Sequence, residues 1–171
     1  MADTESAHPI SFVAGREDRP VLDALGHRDR PEGPFTMFDL VRSNTAPLEL
    51  ASWLVAQVSR GASLIAGSGP GGVGKTSTMR ALVDFAPANM PYVIAMRDSI
   101  DAMAGDPHCV ICHEISSHKL DGYLWDQDLR DLLALQAQGH MVTSTMHINT
   151  MEEAHEQLLG VNEIPEDHFR A

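Results

Sequence analysis

Eight consecutive residues, Gly69-Pro70-Gly71-Gly72-Val73-Gly74-Lys75-Thr76, carry the strongest chemical signal in the chain. They satisfy the pattern G-x-x-x-x-G-K-[ST], and each part of it has a task. Glycines let the backbone curl so that successive N–H groups point inward at phosphate oxygens. A helix starting behind them adds its positive N-terminal end. The Lys75 ammonium would neutralise β- and γ-phosphates, and the Thr76 hydroxyl would ligate Mg²⁺. The expected ligand is therefore a nucleotide carrying β- and γ-phosphates, with Mg²⁺, held by Gly69, Pro70, Gly71, Gly72, Val73, Gly74, Lys75, Thr76 and Ser77.

Such a loop works only between a strand and a helix, and the flanking residues have those patterns. Ala62-Ser63-Leu64-Ile65-Ala66 is a short apolar run, too short for a helix, and reads as a buried strand feeding the glycines. Thr76 to Phe85 reads as the helix behind them, ended by Pro87. Upstream, Leu50, Leu54 and Val58 with Ala51 and Val55 recur at helical spacing over Ala46 to Arg60, with Gly61 in the capping position. Downstream the alternation continues. Strands are expected at Tyr92–Met96, Cys109–Ile115 and His140–Met146. A helix is expected from Leu124 to Gly139, and another starts at a capping box, Thr150-Met151-Glu152-Glu153, and runs through Leu159. Alternation of this kind predicts an α/β fold with a mainly parallel sheet and helices on both faces.

Composition limits the function classes. The chain has 171 residues, 24 acidic and 12 basic, for a net charge of −12. Phosphate-backbone binding wants a basic face, so direct nucleic-acid binding is not expected. No run reaches the roughly 20 apolar residues a bilayer requires. Two cysteines, Cys109 and Cys112, are too few for a disulfide scaffold, and a cytoplasmic location is expected. Residues 1–34, rich in Pro, Asp, Arg and His, read as a loosely ordered arm, with order beginning at Phe35.

A second constellation narrows the class: Gly139-His140-Met141-Val142-Thr143-Ser144-Thr145-Met146-His147-Ile148-Asn149. Its pattern, G-H-x-x-x-[ST]-T-x-H-x-N, resembles the His box of the secretion ATPase superfamily, the motors of type II and type IV secretion, type IV pili and archaeal filaments. The segment Val110-Ile111-Cys112-His113-Glu114-Ile115-Ser116-Ser117 resembles that family's Walker B segment, and Met96-Arg97-Asp98-Ser99-Ile100-Asp101 aligns with its acidic box. The resemblance implies a RecA-like P-loop NTPase core over 35–171, shorter at its C-terminal side than a typical member. It also implies Mg²⁺-dependent ATP hydrolysis, with Lys75, Glu114 and His147 catalytic and Thr76, Glu114 and Asp98 around the metal. Glu114 would activate or orient water, and His147 would sense the phosphate. A homo-oligomer, hexameric in the family, or a larger secretion or pilus assembly is the implied partner, with the membrane reached only through partner proteins.

Departures from that pattern support a second expectation, an ATP-binding module that hydrolyses slowly or not at all within a larger assembly. Arg97 stands where the family has its first acidic-box glutamate, His113 replaces a glycine, and Ser116 and Ser117 replace arginine and aspartate. Other sites are set aside. Cys109 and Cys112, three apart on a strand, face opposite sides and cannot chelate one zinc ion. Asp121, Asp126, Asp128 and Asp131 lack the glycine and glutamate of a calcium loop and read as a solvated helix face. Trp53 reads as a core anchor.

Overall fold

The computed structural model describes residues 35–96, 105–120 and 122–170. The arm at 1–34 lies outside the described residues, as do Arg97, Asp98 and Asp101 of the acidic box, and Asp121.

After Phe35 the described residues open with a short helix that the sequence reading did not assign, α1 (Met37–Arg42). Its signal was present, because Thr36 and Asp39 close a reciprocal capping box. Helix α2 (Leu48–Val58) follows Pro47, and Gly61 behind it takes a left-handed φ of 87°. Its inward face is Ala51 and Val58, with Leu54 and Val55 half-buried. Trp53, expected in the core, is 59 % exposed, and Leu50 is 45 % exposed. At 3.6 residues per turn Trp53 lies about 200° around the helix from Ala51, so a face centred on Ala51, Val55 and Val58 must point Trp53 outward.

Strand β1 (Leu64–Gly67) leads through the glycine loop into α3 (Lys75–Val83). Strand β2 (Tyr92–Ile94) precedes the segment outside the described residues. The strand expected over 109–115 is broken in two, β3 (Cys109–Ile111) and β4 (Glu114–Ile115). The break is a diversion of hydrogen bonds, since the N–H groups of His113 and Glu114 both turn to the Gly122 carbonyl, at 3.1 and 3.4 Å. Leu124 belongs to β5 (Tyr123–Leu124) rather than to the next helix, α4 (Asp126–Ala134). A 3₁₀ turn, Leu135–Gln138, then runs to Gly139, where the helix was expected to end. Strand β6 (Met141–Met146) is followed by α5 (Met151–His155), a π-helical turn (Glu156–Val161) and α6 (Glu166–Arg170).

Every strand pairing among the described residues is parallel. Met146 of β6 is flanked by Gly67 on one side and Ile115 on the other, so β1 and the broken β3/β4 course hold opposite edges of β6. β2 lies outside β3, and β5 outside β4. This is the expected α/β arrangement, a parallel sheet with helices on both faces. Helices α1, α2 and α3 pack with Cys109, Ile111 and Met141, while α4 and the π turn pack with Val110, Cys112, Val142 and Met146. The split of β3 between those two cores follows from the two-residue period of a strand. It places the two cysteine side chains on opposite faces, and burial pushes the Cys112 thiol up to about 11. No helix among the described residues is long and apolar enough to cross a membrane.

The two histidines of the His box sit at opposite ends of β6. At about 3.3 Å per residue, seven residues of strand separate them by roughly 23 Å. His140, at the end away from the glycine loop, is 4 % exposed and stacks on His108 with ring centroids 5.7 Å apart. Its Nδ1 accepts from the His108 N–H at 3.1 Å, while Nε2 is buried with no hydrogen-bond partner among the described residues. Burial, assisted by His108, holds the imidazole below its usual value of 6.5. A base whose folded pKa is depressed favours the native state while neutral, and that stability is lost as pH falls from its unfolded pKa toward the lower folded one. The thermal midpoint is therefore expected to drop as pH falls below about 6.5. His140→Gln, which keeps an acceptor for the His108 amide, should flatten that slope. An unchanged acid slope in the variant would place the effect elsewhere.

Candidate functional site

The glycine loop lies where the parallel strand β1 ends, and its shape follows from residue size at two points. Gly74 caps α3 with a φ of 100°, a left-handed conformation that a side chain would strain. Gly69 has no room for a side chain, because a Cβ there would overlap the Asn149 amide. Around Gly71, Gly72 and Gly74 the opposite holds: an added Cβ would meet nothing within 4 Å. The loop is thus tied down at its start and open along its length, with Pro70 and Val73 between the glycines.

Lys75 is the first helical residue of α3. Its ammonium turns back over the loop, 3.4 Å from the Ser68 carbonyl and 3.3 Å from that of Pro70. It also reaches both ring nitrogens of His147, at 3.4 Å each. His147 stands just past the end of β6, with Nδ1 2.8 Å from the Gly69 carbonyl and Nε2 3.4 Å from a carboxylate oxygen of Glu114. With Nδ1–H donating to Gly69, Nε2 can accept from Lys75, or in the protonated ring donate to Glu114. Glu114 opens β4, directly after the break, and its side chain is 14 % exposed.

Three residues from distant parts of the chain, Lys75, Glu114 and His147, are thereby brought into one group. Thr76 and Ser77 follow in the first turn of α3, half-buried behind the loop. Asp98, the remaining expected metal residue, lies outside the described residues. Among the described residues no three His, Cys, Asp or Glu side chains gather into a metal-holding group. A divalent ion here would rely on Thr76, Glu114 and the oxygens of a bound polyphosphate, and such a hydroxyl, carboxylate and phosphate set suits Mg²⁺.

Sequence reasoning missed what holds His147 in place. The expected capping box at Thr150 is only half-formed: the Thr150 hydroxyl accepts from the Glu153 N–H at 3.2 Å. The Glu153 carboxylate goes one residue further back, accepting from the Asn149 N–H at 2.6 Å and from its Nδ2 at 3.4 Å. Gln157, in the π turn, donates to the His147 carbonyl at 3.2 Å. Asn149 had a signal in the sequence as the last residue of the His-box pattern, and Glu153 as part of the expected capping box; Gln157 had none.

No protein-family model matches the chain, and no curated protein matches it.

Proposed function

We propose that the chain is an ATP-binding and ATP-hydrolysing domain with a RecA-like P-loop core, similar to secretion and pilus motors. One observation carries the reading: Lys75 of the glycine loop, His147 after β6 and Glu114 at β4 converge within hydrogen-bonding or ion-pair distance. The strand order is compatible with it, since β6 stands between the strand feeding the loop and the course leading to Glu114.

The chemistry divides among these residues. Loop amides and Lys75 bind the phosphates and stabilise charge on the transferring phosphoryl group. Mg²⁺, held by Thr76 and Glu114, would neutralise the phosphate oxygens. Glu114 orients or deprotonates water, and His147, placed between Lys75 and Glu114, reports on the phosphate side of the site. The proposed context is a cytoplasmic assembly, homo-oligomeric or within a larger secretion or pilus machine.

Titration of the protein with Mg²⁺ and a non-hydrolysable ATP analogue, followed by calorimetry, tests the binding half. Lys75→Ala should weaken affinity at least about tenfold, the loss of one charge-assisted contact. Equal affinity in the two proteins would remove the reading. A second reading, a binding module with slow or no hydrolysis, is favoured by Arg97, Ser116 and Ser117 in place of the family's residues. It predicts the same loss of affinity but slow or no turnover in the parent protein.

A further inference from the structure

We infer that Asn149 and Glu153 are positioning residues that lock the turn carrying His147 onto the first residue of the glycine loop. This rests on the proposed ATPase reading for its consequence in catalysis, but its geometry stands independently.

The turn His147-Ile148-Asn149 meets the loop twice. His147 Nδ1 lies against the Gly69 carbonyl, and the Asn149 side chain fills the space where a side chain at Gly69 would be. The turn is held in turn from α5 and the π turn. Glu153 accepts from both the backbone and the side-chain amide of Asn149, and Gln157 donates to the His147 carbonyl. The Gln157 carbonyl accepts from Nδ2 of Asn162 at 2.7 Å, and Asn162, fully buried, accepts from the Asp126 N–H at 2.8 Å. A continuous set of hydrogen bonds therefore runs from the loop, through His147 and Gln157, to the start of α4.

The behaviour of Glu153 argues that this is more than helix capping. A glutamate at that position would ordinarily return its carboxylate to the N–H of the cap residue, Thr150. Here it reaches past Thr150 to the residue that touches Gly69. Local preference yields to a contact that fixes the turn, and the turn sets the reach of His147 to both Lys75 and Glu114. Catalytic groups misplaced by an ångström lose much of their effect, so a residue that holds such a turn acts on rate through geometry.

The test uses the full chain with Asn149→Ala, Glu153→Ala, Glu153→Gln and Glu156→Ala. Glu156 is exposed on the same stretch of helix and controls for loss of charge. Backbone ¹⁵N order parameters of Gly69, Gly71, Gly72 and His147 are read first, without nucleotide. Values near the rigid limit of about 0.85 should fall toward about 0.6 in Asn149→Ala and Glu153→Ala. Glu153→Gln, which still accepts from the Asn149 amide, should restore them, and Glu156→Ala should leave them unchanged. In ATP turnover, the two alanine variants should lose about tenfold in kcat with KM changed less than about threefold, and their double variant should be no worse than the poorer single one. Loop order unchanged in Asn149→Ala and Glu153→Ala, or equal loss in Glu156→Ala, overturns the inference. Should the parent protein turn over no ATP, the hydrolase reading falls and the order parameters alone decide the positioning role.

Discussion

Replacing Glu114 by Gln is expected to lower ATP turnover by about 10²–10⁴-fold, the usual contribution of a positioned general base. The substitution changes little else. Glutamine keeps the length and the acceptor oxygen that faces His147 Nε2 at 3.4 Å, and the side chain stays in the same shielded position at the start of β4. Nucleotide affinity should therefore remain within a few-fold of the parent, because the loop amides and Lys75 are untouched. Phosphate release at saturating Mg-ATP, measured beside calorimetric binding and a thermal melt, separates these quantities. Turnover retained in full would sink the assignment of Glu114. Loss of both turnover and binding would show that its carboxylate acts chiefly by holding the metal.

The second large effect concerns stability. Ile111 sits in β3 between Ile94 of β2 and Thr143 of β6, is completely buried, and faces the core formed by α1, α2 and α3. Ile111→Ala removes three carbons from a site enclosed by strands on both sides, where little relaxation is available. A loss of about 3 kcal/mol is expected, within the 2–5 kcal/mol seen for such truncations. That is a large part of the roughly 5–15 kcal/mol that holds a domain folded. Trp53→Ala gives the contrast: a true core anchor would lose about 3–5 kcal/mol, whereas a side chain this exposed should lose under about 1 kcal/mol. Urea denaturation midpoints, with m-values shown to be unchanged, check both. A Trp53 cost matching that of Ile111 would restore Trp53 to the core. Because β3 runs directly into Glu114, the Ile111 variant should also lose turnover where Trp53→Ala does not.

The elements legible in the sequence were those whose signal is local. The apolar run before the glycines, the left-handed stop at Gly139 and the Thr150 cap each depend on a few neighbouring residues, and each stands within a residue or two of its expected place. Errors arose where one signal served two structures. Leu124 has the spacing of the following helix, but it pairs with Ile115 in the sheet, and the helix starts only after Trp125. The apolar run 109–115 reads as one strand because nothing in its residue types announces that Gly122 will draw away two of its amides. Leu50 and Trp53 fit a helical period as well as Ala51 and Val55 do, and periodicity alone does not say which face meets α3.

The glycine loop and the chemical kinds of its partners, a lysine, a carboxylate and an imidazole, are properties of the sequence itself, because backbone permissiveness and side-chain charge are local. Their union is not. Lys75 and His147 stand 72 positions apart, and they meet only because β1 and β6 pair in a register that opposes Gly67 with Met146. The same register sends His140 to the far end of the sheet, so two histidines of one motif become a buried stack and a site residue. Glu153 was legible as a cap, and only the packing of the turn on Gly69 redirected it to Asn149. Residue types are written along the chain, whereas distances between them come from strand pairing and close packing, and these couple positions that no window of sequence contains together.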